Sequence, residues 1–134
     1  METSVNNKCR AFTSIEQSKK LAEILPHESA DMRIGNYVGK SGKVDGTNIH
    51  YYPKGESFGA PEIIDAWSLA ALLDVLPKNL KIGRPSLESN YKGCYWIQYY
   101  DEFMKPNNYK TECFNNPVDA CVAIIEKLHE LKML

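Results

Sequence analysis

A chain of 134 residues is the length of one domain, and at this size about two thirds of the unfolded surface is buried, enough for a core without disulfides or metals. A composition 43% hydrophobic and 25% charged excludes long disorder, collagen-like repeats and a membrane channel. Sixteen Lys and Arg against seventeen Asp and Glu leave a formal charge of −1, without the basic excess of a dedicated phosphate-backbone binder.

Residues 1–12 carry no periodicity and read as a loose leader; residues 13–134 read as a single α+β domain. Met1 to Arg10 is polar and charged and lacks the apolar core of a secretory signal. The first helix opens at Ser14, with Gln17 completing a capping-box pattern. Ile15, Ser18, Leu21, Ala22 and Leu25 then fall on one side at helical spacing, and Pro26 marks the stop. From Met32 to Gly59 the chain holds six of its eight glycines. Two β-prone pieces, Met32–Val38 and Thr47–Tyr52, flank Gly39-Lys40-Ser41-Gly42 and Asp45-Gly46, which predicts a hairpin.

Ile63–Leu76 is apolar nearly all round and is expected to be a central helix ending at Pro77. Its longest uncharged apolar run, Ala66–Leu73, is far short of the roughly 20 residues that cross a bilayer, so no membrane association is expected. The words Leu21-Ala-Glu-Ile-Leu-Pro26 and Leu72-Leu-Asp-Val-Leu-Pro77 match in pattern, which raises the idea of an old duplication. Strands are then expected at Leu80–Arg84, Cys94–Tyr100 and Tyr109–Phe114, the last two flanking a turn at Lys105-Pro106-Asn107-Asn108. The final helix is capped by Asn116, with Pro117 in its first position and Asp119 favoured by the dipole. Val118, Cys121, Val122, Ile125 and Leu128 make its apolar stripe, widened by Ile124 and Leu131, with His129 rotated onto the same side. The order is α-β-β-α-β-β-β-α, and short turns imply one antiparallel sheet with helices on one face. The expected core is Leu21, Leu25, Trp67, Leu69, Leu72, Leu73, Leu76, Val118, Val122, Ile125 and Leu128.

Known chemical motifs are near misses. Gly35-Asn-Tyr-Val-Gly39-Lys40-Ser41 has three residues between its glycines where a P-loop needs four, and Gly42 and Gly46 oppose a following helix. His27, His50, His129 and the four cysteines form no close ligand pair of the kind that zinc sites use. No nucleophile elbow or catalytic cysteine signature is present, and no cofactor or small-molecule substrate is implied. Asp101 and Glu102 are neighbours on a strand end and point apart, so they cannot share a proton. Cys9, Cys94, Cys113 and Cys121 are too few and too widely spaced for a small disulfide scaffold, which points to a reducing cytoplasm.

Cys94-Tyr95-Trp96-Ile97-Gln98-Tyr99-Tyr100 is more informative. Alternation puts Trp96 and Tyr100 on one face and Tyr95, Ile97 and Tyr99 on the other. Tyr51 and Tyr52 repeat the theme in the first hairpin. Large rings on both faces have three explanations: a sandwiched central strand, a face that meets another copy, or stacking on bases or sugars. Lys78, Lys81, Arg84 and Lys92 against Glu88 make the flanking segment locally basic. The expected interaction surface is therefore Tyr95, Trp96, Tyr99, Tyr100, Tyr51 and Tyr52, joining copies into a homo-oligomer. The alternative is a nucleic-acid module using Tyr95 and Tyr99 with Lys81, Arg84 and Lys92. The order of residues 63–132 resembles the double-stranded RNA-binding domain, but that family opens its second helix with lysines, where this chain has Asn116-Pro-Val-Asp-Ala120.

Three phrases together resemble a family of short, uncharacterised proteins of bacteria and their phages or prophages: Glu16-Gln-Ser-Lys-Lys-Leu-Ala-Glu-Ile-Leu-Pro26 with Glu28-Ser-Ala-Asp-Met32, Ala66-Trp-Ser-Leu-Ala-Ala-Leu-Leu-Asp-Val-Leu-Pro77, and Asn116-Pro-Val-Asp-Ala-Cys-Val-Ala123. The resemblance implies a bacterial cytoplasm and a phage-related accessory role, and brings no catalytic residue with it.

Overall fold

A computed structural model describes residues 11–56 and 59–134 of the chain. The protein is α+β, and its described residues form three α-helices and two separate three-stranded antiparallel sheets. The single sheet expected from the sequence is thus two. The chain divides into two compact units, Phe12–Ala71 and one containing Leu72–Leu134. No helix among the described residues is long and apolar enough to cross a membrane.

In the N-terminal unit, α1 spans Ile15–Leu21. Its capping box is complete: Ser14 Oγ accepts from Gln17 N at 3.2 Å, and Gln17 Oε1 accepts from Ser14 N at 3.1 Å. Ser18 and Leu21 are buried, while Ala22 lies past the helix and is exposed. Most of the expected leader lies outside the described residues. Phe12, its last residue, bridges Ser68 and stacks on Tyr51 with ring centroids 5.1 Å apart.

The sheet of this unit is β1 (Met32–Val38), β2 (Val44–Pro53) and β3 (Glu62–Ala66), in the order β2-β1-β3. Ile34, Ile64 and Ala66 form its core, packed by Ile15, Met32, Ile49 and Tyr51. β3 corrects the expected Ile63–Leu76 helix. In Glu62-Ile-Ile-Asp-Ala66, Ile64 and Ala66 are buried while Ile63 is exposed, a period of two. Adjacent β-branched isoleucines suit that pleat better than a helix. The helix, α2, begins only at Leu69 and runs to Val75. Ser68 starts it, its Oγ accepting from Ala71 N at 3.2 Å while its own N–H donates to Asp31 Oδ1 at 2.9 Å.

The C-terminal unit holds β4 (Arg84–Ser89), β5 (Tyr95–Tyr100) and β6 (Pro106–Lys110), in the order β4-β5-β6. The strand expected at Leu80–Arg84 is instead a turn. Asn79 Oδ1 accepts from both Lys81 N and Ile82 N at 2.9 Å, which pulls the chain round before β4 begins. Gly83 leaves that turn at φ +94°, where a Cβ would meet the Tyr100 carbonyl oxygen. The second turn lies at Asp101–Lys105, earlier than expected, because Asp101 Oδ1 accepts from Phe103 N at 2.8 Å and Lys105 N at 3.0 Å. β6 accordingly starts at Pro106, a position an edge strand tolerates. Residues 111–116 then return along β5, where Tyr95 and Phe114 exchange backbone hydrogen bonds of 2.6 and 2.8 Å.

Cys94 and Cys113 form a disulfide across this return, with Cα atoms 5.6 Å apart. Their separation of 19 residues in the chain gave no sign of it, and the bond removes the cysteine spacing as a ground for a reducing cytoplasm. Antiparallel pairing brings them together.

The helix α3 spans Pro117–Glu130, with Asn116 Oδ1 accepting from Val118 N at 2.7 Å. Val118, Cys121, Val122, Ile124, Ile125 and Leu128 are buried as the stripe requires, and α3 packs on β5 and β6. Leu131 and His129 are exposed, although Leu128 in the same last turn is completely buried. His129 Nδ1 bonds to the Leu134 oxygen at 3.2 Å rather than entering the core. Of the expected core, Leu69 and Leu73 are only half-buried. The two α-β-β-β runs do not repeat: the first strand is central in one sheet and the second strand in the other. A tandem copy would keep the same strand in the centre.

Leu72 is fully buried, and Leu72→Ala is expected to cost about 2–5 kcal/mol, read as a lower urea midpoint with an unchanged slope. Gly83→Ala places a methyl group against backbone at positive φ, and should destabilise by more than about 1 kcal/mol in the same assay.

Candidate functional site

The pleat of β5 assigns its side chains to two surfaces. Ile97 and Tyr99 are completely buried, and Tyr95 on the same side is half-buried. This side packs against α3. The Tyr99 hydroxyl donates to the Pro77 carbonyl at 2.9 Å, its ring meets Tyr109 edge-on at 6.3 Å, and burial pushes its phenol pKa up. Tyr99 is therefore core, and so is Tyr52 in the first sheet, while Tyr51 is half-buried with its hydroxyl on the Thr13 carbonyl at 2.9 Å. These three, expected as interaction residues, are engaged within the fold.

The opposite side of β5 carries Trp96, Gln98 and Tyr100. Gln98 is buried, its amide nitrogen donating to the carbonyls of Tyr99 at 2.7 Å and Asn107 at 2.9 Å. Trp96 and Tyr100 are half-buried, as Tyr95 is, and one carboxylate joins them. Glu88, opposite Trp96 on β4, accepts from Trp96 Nε1 at 3.0 Å and from the Tyr100 hydroxyl with its second oxygen. The hydrogen bond to Glu88 raises the Tyr100 phenol pKa above its ordinary value, with smaller contributions from desolvation and the nearby negative charge. Two half-buried aromatic rings are thus held in place on this sheet face by a carboxylate that both of them satisfy.

Two adjoining clefts open beside Tyr100. One, of about 580 Å³, is lined by Lys78, Arg84, Pro85, Ser86, Glu88, Tyr100 and Met104. The other, of about 480 Å³, shares Lys78, Arg84 and Tyr100 and adds Leu80, Asp101 and Glu102. Leu80 is 89% exposed, Phe103 74% and Met104 62%, all in the two turns at this end of the sheet. Arg84 lies against the Met104 sulfur. Met104 holds φ at 63°, a left-handed conformation unusual for its residue type. Aromatic, methionine and arginine side chains in an exposed cluster are the composition of interface cores. The sequence reading missed Leu80, Phe103 and Met104. Their signal was large apolar residues inside Asx-type turns, where no described residue of the unit buries them.

Among the described residues the clefts contain no histidine or thiol, and Glu88 is already committed to two donors. Among the described residues no group of three His, Cys, Asp or Glu side chains could hold a metal ion. In the N-terminal unit His27 Nδ1 contacts Asp65, which Arg33 Nε approaches at 3.9 Å, but the His27 side chain is 59% exposed, so the contact carries small energetic weight. The Gly39–Gly42 segment is a hairpin turn, not a phosphate cradle: Gly42 N donates to Gly39 O at 3.0 Å, and Asp45 collects Ser41 and Thr47. Those hydrogen bonds lower the Asp45 pKa to about 2. Lys81 and Lys92 occupy turns at opposite ends of β4, separated by its six residues, about 20 Å of strand. With Tyr99 buried, the cations and rings of the nucleic-acid alternative are not gathered on one surface.

No family model, curated protein or solved structure matches this chain.

Because its folded pKa is raised, the Tyr100–Glu88 bond is fully present below about pH 10, the ordinary tyrosine value, and is lost as pH climbs through the higher folded value. Glu88→Gln should return that phenol toward its ordinary titration, visible as tyrosinate absorbance absent from a Tyr100→Phe control.

Proposed function

We propose that this protein is a non-enzymatic, phage-related accessory protein of the bacterial cytoplasm. In this proposal it self-associates through the Trp96–Tyr100 face and the adjoining turns of the second sheet. The observation that carries it is the composition of the surface around Tyr100. Exposed Leu80, Phe103 and Met104 beside the half-buried rings supply apolar area, and the charges among them are mixed: Lys78 and Arg84 against Glu88, Asp101 and Glu102. A two-fold contact places the same patch on both copies, so a patch must carry both signs to complement itself. A phosphate backbone would instead select one sign. The formal charge of −1 opposes the approach of a second copy only weakly. The cytoplasmic and phage-related parts rest on the three helix phrases and their resemblance to short phage and prophage proteins.

Sedimentation velocity at micromolar concentration should show a reversible dimer. Arg84→Glu, which sets carboxylates against carboxylates, should weaken it by at least about tenfold, as should Tyr100→Ala. A wild-type protein that stays monomeric across that range defeats the proposal. So does tight binding of single-stranded oligonucleotide at low salt that collapses steeply as salt rises.

A further inference from the structure

The disulfide joins two sulfurs in unlike surroundings. Cys94, just before β5, is half-buried, whereas Cys113, in the segment returning from β6, is exposed. Cys113 also lines an open cleft of about 560 Å³ whose walls include Trp96, Lys110, Glu112 and Lys127, and Cys94 does not. Lys127 is steadied there, its Nζ donating to the Lys110 carbonyl at 3.0 Å. Two ammonium groups against one carboxylate make this recess locally positive, unlike the mixed patch around Tyr100. Thiol–disulfide exchange needs an approachable sulfur, a leaving sulfur and a way to concentrate the attacking thiolate.

We propose that Cys113 is a thiol-exchange site for small thiols bearing carboxylates. The incoming thiolate sulfur attacks Cys113 Sγ. A new S–S bond forms as the Cys94–Cys113 bond breaks, and the bonding electron pair leaves on Cys94 Sγ, which takes a proton from water. A second thiol molecule attacks the mixed disulfide and releases Cys113 as a thiolate. Two small thiols are thereby oxidised to their disulfide and the protein disulfide is reduced. Lys110 and Lys127 attract the carboxylates of the thiol, and the Trp96 ring forms an apolar wall beside its sulfur. Opening the bond does not release the returning segment outright. Thr111 N still donates to the Ile97 carbonyl at 2.9 Å, and Thr111 Oγ1 still accepts from Ile97 N at 3.1 Å. The site is a clasp that small thiols open and their disulfides close. Cys121 does not compete, being buried in α3 with its thiol pushed up to about 12 by desolvation.

The test treats the full, oxidised protein with glutathione, quenches with acid and maps the mixed disulfide by mass spectrometry. Adducts are expected on Cys113 over Cys94 by more than about tenfold. Lys110→Gln with Lys127→Gln should slow glutathione severalfold and leave the rate with mercaptoethanol, an uncharged thiol, unchanged. Cys94→Ser, checked for folding by circular dichroism, should still take an adduct at Cys113 from glutathione disulfide. Adducts shared equally with Cys94 would overturn the proposal. So would lysine variants that slow both thiols alike, or a non-reduced protein in which Cys94 and Cys113 both alkylate as free thiols.

Discussion

The packing of α3 on one side of β5 is the constraint from which most of the C-terminal unit follows. Val118, Cys121, Val122, Ile125 and Leu128 present an apolar stripe, and Ile97 and Tyr99 complete it from the strand. Burial of side chains this large is worth roughly 1.5–3 kcal/mol each, which decides the register of the strand against the helix. A strand has only two sides. Once Ile97 and Tyr99 turn inward, Trp96 and Tyr100 must turn outward, and a slip of one residue would exchange the two sets.

The outward side chains create a problem that the fold answers locally. A half-buried indole N–H and phenol need acceptors, and Glu88 on the neighbouring strand supplies both. The rings are thereby held in one arrangement, which lowers the ordering cost of any contact they make. The polar face that results differs from the recess around Cys113. Near Tyr100 the charges alternate in sign, while around Cys113 the lysines prevail. The two neighbourhoods suit different occupants for that reason.

Asn and Asp residues set the limits of these elements more than the strands themselves do. Asn79, Asn90 and Asp101 each accept backbone N–H groups a few residues ahead, and each one closes a turn of the second unit. In consequence Leu80, Phe103 and Met104 stand outside the core, carried on turns whose shape is dictated by a neighbouring side chain. The same logic holds in the first unit, where Asp45 gathers Ser41 and Thr47 at the tip of the hairpin.

Local chemistry by itself determined the caps of the first and last helices and the turn-rich character of the middle of the chain. Ser14 with Gln17 and Asn116 with Pro117 act within a few residues, so their consequences are readable without knowing what packs where, whereas the first helix ends at Leu21, short of its Pro26 stop. The apolar stripe of α3 was legible for the same reason, since helical periodicity is a local property. Only tertiary structure decided that Glu62–Ala66 is a strand, because a short apolar run satisfies either element until a partner strand is present. It alone separated the aromatics of β5 into core and surface, as pairing and helix packing choose which side is covered. It alone brought Cys94 to Cys113 and parted Lys81 from Lys92. Distance in space between residues far apart in the chain depends on strand pairing, which no single segment encodes.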